Sequence, residues 1–401
     1  MKTKVLFISY CPPIPSWGGS MTFFRHFIER KDFETMVITT SDAVNDYDLP
    51  YAPIVIEEPA FWKRISKTRF LPYVYTIESL YGEHLLSKDT MSTVKQFKPD
   101  VVFTVGGSWH WTALAAKRVS DKLGIPLVGS FNDWFDYGWF PAHKSFHKAI
   151  EQKFRNFYKQ VDLAVCTSEG MKEELGNHPN AHVLYPTGAV MPANAKDYRP
   201  TLSNDNAIFT IFFGGNLGDW YGKMLESLIL AANKANYRLE FKIFGSNPSW
   251  SKEFDEWVKK EGVFGGRVNF DELSAEACKA DLLLLPMGFG EDCALVERTS
   301  FKTKFLDYLT FNRPILVWGP EYCSAVRTAK EFDSAECVVS SDAKNCAYVI
   351  KELSEDSTRL IQLNDNAQNM YNSRFHPDKI HAGLVNKIHE TIGEFNRMER
   401  K

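Results

Sequence analysis

The chain lacks most of the features that would place it in a specialised class. Its seven cysteines, at positions 11, 166, 278, 293, 323, 337 and 346, are scattered and never paired as C-x-x-C. That pattern argues against a disulfide frame or a zinc site and fits the reduced thiols of a cytosolic protein. No run of 18 apolar residues occurs, so no segment is expected to span a bilayer. The opening MKTKVLFISYCPPIPSWGG is basic and then apolar, but VLFIS breaks into proline and glycine rather than a small-residue cleavage site. It reads as a first strand and its loop, not as a signal peptide. Charge of one sign is also lacking. With 47 basic and 50 acidic side chains the formal net charge is -3, which gives nucleic acid no global attraction. A G-x-G-x-x-G fingerprint is missing, since Gly288-Phe289-Gly290 is too short and follows the wrong strand, and this argues against an ordinary NAD site.

What is present describes a two-domain globular protein. The 401 residues, 44% hydrophobic and 24% charged, exceed one ordinary core. Strand patterns at 4–9, 35–39, 101–105, 126–129, 163–166 and 182–185 alternate with helical patterns at 20–29, 111–123, 149–160 and 168–175. The stretch from Pro186 to Ala207 is rich in Pro, Asn, Asp and Ala and reads as a linker. Alternation then restarts, with strands at 209–213, 240–244, 268–270, 282–286, 315–318 and 337–339 and a final helix from about Pro377. Buried strands joined by crossover helices imply parallel sheets covered on both faces. Two such halves predict a cleft, with ligands held outside the carboxyl ends of the strands.

The most informative stretch is TSFKTKFLDYLTFNRPILVWG, residues 299–319. A helix is expected over Lys304–Phe311 and a strand over Ile315–Trp318. Its start, beside Ser300, Lys302, Thr303 and Lys304, offers backbone N–H groups and positive charge to an anion. Asp307 lies one turn later, where a carboxylate can accept sugar hydroxyls. A diphosphate and a ribose together call for that combination. Gly18-Gly19 after the first strand and Gly214-Gly215 in the second half would let backbone approach such a group, or simply turn the chain.

The order of these pieces resembles the retaining GT-B glycosyltransferases of family 4. The resemblance rests on the Pro12–Gly19 loop, on Phe212-Phe213-Gly214-Gly215-Asn216-Leu217-Gly218, on Ala280-Asp281-Leu282-Leu283-Leu284-Leu285-Pro286, and on Ser300–Leu309 running into Asn312-Arg313-Pro314-Ile315. It implies two Rossmann-like α/β domains facing each other across a cleft, with a C-terminal helix packing back on the N-terminal domain. The expected bounds are 1–190 for acceptor binding, 191–207 for the linker, 208–376 for donor binding and 377–401 for the returning segment. The resemblance also implies transfer of a sugar from a nucleoside diphosphate to an acceptor hydroxyl, without metal or other cofactor.

Three departures stand out. Thr299 occupies the place of the family's first donor-segment glutamate, leaving Asp307 as the acidic position. Asn216 replaces a basic residue after the glycines. Asn132-Asp133 stands where His-Asp is usual. The donor set is therefore expected to be Gly18, Gly19, Gly214, Gly215, Asn216, Lys223, Gly245, Asp292, Lys302, Thr303 and Asp307. Lys304 would neutralise the leaving group, with Glu291, Asp133 and His110 as further catalytic candidates. Asn132, Trp134, Asp136 and Trp139 form the acceptor set, because carboxylates interleaved with rings suit sugar faces. The basic, aromatic run Phe61–Leu71 suggests contact with an anionic membrane, placing the protein in the cytoplasm or on the inner face of the membrane. A catalytically silent nucleotide-sugar-binding scaffold remains the main alternative. A GT-B phosphorylase or a sugar-nucleotide epimerase is a further one.

Overall fold

The computed structural model describes residues 2–16, 18–57, 60–82, 86–136, 140–189, 195 and 208–399. The expected linker, apart from Ala195, and Trp139 lie outside them. Two compact units emerge. One comprises Met1–Thr187, Thr299–Phe301 and Asp378–Lys401; the other comprises Gly188–Arg298 and Lys302–Pro377.

The first unit is built on seven strands: β1 (Thr3–Ile8), β2 (Phe33–Thr39), β3 (Ile54–Val55), β4 (Val101–Val105), β5 (Leu127–Phe131), β6 (Leu163–Cys166) and β7 (Ala181–Val183). They run in the order β3-β2-β1-β4-β5-β6-β7, and every pairing is parallel. All five residues of β4 and of β5 are buried, which explains why these segments read as continuous apolar runs. Phe7 anchors the core, stacked on Phe103 at 5.3 Å and edge-on to Phe23 and Phe27. The final helix, Pro377–Glu399, inserts Leu384 and Ile388 into that same core, so the C-terminal helix returns to the N-terminal sheet as expected. A buried histidine pair ties it there. His26 Nδ1 lies 3.1 Å from His381 Nδ1, while His381 Nε2 meets Asp32 at 3.0 Å and His26 Nε2 meets Thr187 Oγ1 at 2.8 Å. Burial, aided by His381, Arg30 and Arg25, holds the His26 imidazole down to about 3, so it is neutral at ordinary pH.

In the second unit β8 (Phe209–Asn216), β9 (Leu239–Ser246), β10 (Leu282–Pro286), β11 (Ile315–Trp318) and β12 (Glu336–Val338) form a parallel sheet in the order β12-β11-β10-β8-β9. One expectation fails. Residues 268–270 form no strand; Asn269 caps a helix over Phe270–Ala277, its side chain accepting the Glu272 N–H at 2.9 Å. The alternation Val268-x-Phe270 imitates a strand, whereas Asn-Phe-Asp-Glu is a helix start with acidic residues in its first turn.

Strand order reverses between β1 and β4 in one sheet and between β8 and β10 in the other. At such switch points adjacent loops leave in opposite directions and open a crevice at the carboxyl edge. Candidate residues follow β1, β4, β5 and β10 and occupy the carboxyl end of β8.

Candidate active site

At the carboxyl end of β8 the backbone opens at Gly215, with φ 147°. A side chain there would displace the lysine, because a Cβ would stand 2.4 Å from Lys304 Nζ. Lys304 thus reaches directly against the glycine loop. Its ammonium lies 3.9 Å from the Phe213 ring centroid and 5.0 Å from that of Tyr221, a cation–π seat. Among the described residues no carboxylate stands within ion-pair distance of it. Burial, and then the Lys302 charge, lowers its pKa to about 7. Lys304 occupies the first turn of the Thr303–Thr310 helix, whose N-cap, Lys302, supplies no side-chain hydrogen bond. First-turn N–H groups of a helix have no acceptor within it, so they add to a site for an anion.

The neighbours divide into open and committed groups. Asn216 is exposed, and its Oδ1 accepts the Gly218 N–H at 3.1 Å. Gly214 is committed: its N–H donates to Tyr308 Oη at 3.1 Å, and it is buried against Phe212 and Leu273. Gly245 backs the loop, since a Cβ there would meet the Gly215 carbonyl. One Asp307 oxygen accepts the Ala189 N–H at 3.0 Å. Lys223 is exposed and lines a separate cavity of about 240 Å³ with Trp220, Met224, Phe289 and Trp318. Glu291 and Asp292 are exposed in the turn before the Ala294–Thr299 helix, and Thr303 is partly exposed. Arg313 spends its guanidinium on the carbonyls of Cys278, Ala280 and Asn312.

In the first unit the loops after β1, β4 and β5 converge. Gly18 has a left-handed φ of 66°, and Gly19 begins the short Gly19–Phe24 helix. A Cβ on Gly19 would lie 3.9 Å from Asn132 Nδ2, and one on Gly107 would lie 2.7 Å from the Asn132 and Asp133 nitrogens. Asn132 Oδ1 accepts from Ser130 Oγ. Asp133 Oδ1 accepts from Ser300 Oγ at 2.9 Å. His110 Nδ1 accepts the Thr112 N–H at 3.2 Å, which leaves the ring proton on Nε2, and the ring lies 5.2 Å from Tyr10. Asp136 is half-buried, and burial raises its carboxyl above the usual range.

Trp134 departs from its expected role. It is 2% exposed, packed edge-on to Phe154 and covered by Arg155 at 4.8 Å, so its ring belongs to the core and offers no open face to a sugar.

Residues 25–186 match the model of Glycosyltransferase Family 4. Solved structures share the fold along both whole chains. HepE of Anabaena, solved with UDP, is 15% identical, with a TM-score of 0.63 over 97% of this chain and 100% of that one. A glycosyltransferase of Rickettsia africae gives 14% and 0.63 over 98% and 99%, and sucrose-phosphate synthase of Thermosynechococcus elongatus 10% and 0.66 over 98% and 100%. The chain has the GT-B fold, and its residues 25–186 are similar to family 4 glycosyltransferases. No curated protein matches its sequence.

Thr299 is fully buried, and its carbonyl accepts from Ser168 Oγ. The residue that sequence reasoning missed lies two positions earlier. Glu297 is 0% exposed; one oxygen accepts the Gly288 N–H at 3.1 Å and the other lies 3.5 Å from Lys302 Nζ. Its signal was a lone glutamate in the otherwise apolar run Cys-Ala-Leu-Val-Glu. Among the described residues no three His, Cys, Asp or Glu side chains group to hold a metal ion.

Proposed function

We propose that the enzyme moves a sugar from a uridine or guanosine diphosphate to an acceptor hydroxyl with retention of configuration. The observation that carries this is the Lys304 ammonium set against Gly215 beside an uncapped helix start, with aromatic rings rather than a carboxylate as neighbours. As the bond from the anomeric carbon to the phosphate oxygen breaks, negative charge grows on the leaving diphosphate. A cation held in a partly desolvated site stabilises that charge strongly. The acceptor oxygen bonds to the same face, and its proton passes to the departing phosphate. No protein base is then required. Lys302 and the first-turn N–H groups share the phosphates, and Asp307 binds the ribose. Asn132, Asp133 and His110 hold the acceptor. Residues 1–190 would form the acceptor domain and 208–376 the donor domain, with 191–207 linking them and 377–401 returning.

Uridine is the first nucleoside to test, because HepE has been solved with UDP and with UDP-glucose. Calorimetric titration with UDP- and GDP-sugars, followed by product analysis with candidate acceptors, decides the matter. If none of them binds, the donor reading is lost. Binding without turnover on any acceptor would favour the silent-scaffold reading, which the burial of Thr299 supports.

A membrane surface is the proposed location of the acceptor. Tyr73, Ile77 and Tyr81 lie four residues apart on the Leu71–Tyr81 helix and are 48%, 48% and 75% exposed. Phe61 and Phe70 are 66% and 50% exposed, among exposed Lys63, Arg64, Lys67 and Arg69. Rings and cations on one short stretch suit an anionic bilayer interface. Replacing the four cations by glutamine should abolish co-sedimentation with phosphatidylglycerol vesicles; unchanged binding removes the proposal. No helix among the described residues is long and apolar enough to cross a membrane.

A further inference from the structure

Glu297 contradicts ordinary burial rules. Its side chain is wholly buried, yet among the described residues Oε2 has no hydrogen-bond partner and only the Lys302 ammonium, 3.5 Å away, to balance it. A buried carboxylate with an unsatisfied oxygen costs stability, and such costs are kept chiefly at functional sites. Burial favours the neutral acid here, opposed by Lys302 and by the Gly288 N–H. What Glu297 joins is informative. Its first oxygen holds the backbone of Gly288 in the loop after β10. Gly288 is packed against the Trp220 indole, where a Cβ would come within 3.0 Å of the ring, and Trp220 leads into the helix following β8. Lys302 Nζ lies 5.9 Å from that same indole. Three loops at the carboxyl edge of the second sheet thus meet around one lysine.

We propose that Glu297 is a positioning residue that fixes Lys302 for the donor diphosphate, a task the expected position, Thr299, cannot perform. The inference rests on the donor reading above and adds to it a residue that does not itself touch substrate. Charge alone predicts the opposite outcome: a carboxylate near a phosphate site repels the ligand, so removing it should tighten binding. Positioning predicts weaker binding. Without Glu297 the Lys302 side chain, 15% exposed, loses the one ion-pair partner it has among the described residues and gains freedom that the ligand must then freeze.

The test is a double-mutant cycle read as the dissociation constant for UDP, or for GDP should that be the nucleotide bound. It uses the intact chain with Glu297→Gln, Lys302→Met and the pair. Glutamine keeps an oxygen for Gly288 and removes only the negative charge that faces Lys302. Positioning predicts about ten-fold weaker binding for Glu297→Gln, a larger loss for Lys302→Met, and a double mutant no weaker than Lys302→Met alone. Unchanged or tighter binding by Glu297→Gln overturns the proposal, as does simple additivity. Should Glu297→Gln fail to fold, Glu297→Asp replaces it in the cycle under the same criteria. A wild-type protein that binds neither nucleotide would refute the donor reading itself, which is a different result from an additive cycle.

Discussion

The two carboxyl edges of this molecule are built on opposite principles. In the first unit, polar candidates are matched to one another: Asp133 with Ser300, Asn132 with Ser130, and His110 with Thr112. In the second, the decisive cation has rings for neighbours, and the glutamate beside Lys302 has an oxygen without a hydrogen-bond partner. A set of mutually satisfied groups holds its shape without a ligand. An ammonium over Phe213 and Tyr221 gains when an anion arrives, because a cation–π contact replaces little of the hydration that burial removes. Under the proposed function, the second edge would supply binding strength and the first would orient the acceptor.

The largest expected effect breaks the second edge. Lys304→Ala removes the charge against Gly215 and should lower the rate of transfer at saturating donor by about a hundred-fold or more, the scale of a lost electrostatic contact in the transition state. Lys304→Met, which keeps packing between the rings, should lose nearly as much with an unchanged melting temperature. Activity within two-fold of the wild type in product-formation assays would transfer the role to Lys302.

The next effect is a pH dependence. With the free Lys304 ammonium at about 7, a bound diphosphate raises that value by its negative charge. Below pH 7 both states are protonated and affinity is flat. Above it, binding must take up a proton, so the dissociation constant should rise by up to about ten-fold per pH unit until the complex itself titrates. A UDP-sugar is the proper ligand, because its phosphates are diesters with no titration near neutrality. Calorimetry from pH 6 to 9, in buffers of different ionisation enthalpy, reads both affinity and proton uptake. The same profile in Lys304→Met would assign the proton to another group.

Gly215→Ala should follow in size. At its φ of 147° and with Lys304 Nζ 2.4 Å from a Cβ, a methyl group requires the loop or the lysine to shift. Nucleotide affinity should fall about ten-fold, with a loss of stability of about 1–2 kcal/mol from the strained backbone. Thermal melts with and without UDP separate the two contributions. An unchanged ligand-induced stabilisation would show that the loop does not touch phosphate.

How much of this was legible follows from what each feature depends on. β4, β6, β10 and β11 fall where their apolar runs predict, because strands buried on both faces leave no alternative reading. The short β3 and the helices Leu71–Tyr81 and Lys88–Phe97 went unread. Two residues of strand carry no periodicity, and exposed Tyr73 and Ile77 blur the apolar face of their helix. At the site, glycine and lysine spacing pointed to the segment around Lys304. Trp134 was misassigned because a sequence cannot tell a core ring from a platform. Glu297 was passed over because its meaning lies in burial and in contacts with Gly288 and Lys302, nine residues before it and five after. Local chemistry shows in sequence; a carboxylate's neighbours do not.

The smallest effect sharpens the comparison from the first edge. Asp133→Asn keeps an oxygen for the Ser300 hydroxyl and removes only the charge, so the mutual matching survives. If this edge orients the acceptor, nucleotide affinity should stay within two-fold while acceptor KM rises several-fold, about 1 kcal/mol for one charge-assisted hydrogen bond made neutral. Steady-state kinetics varying each substrate in turn measures both. A weakened donor with an unaltered acceptor KM would reverse the assignment, making Asp133 part of the donor's surroundings through Ser300. The two outcomes differ because Ser300 is two residues from Lys302. A disturbance that entered through Ser300 would reach the phosphates before it reached any acceptor.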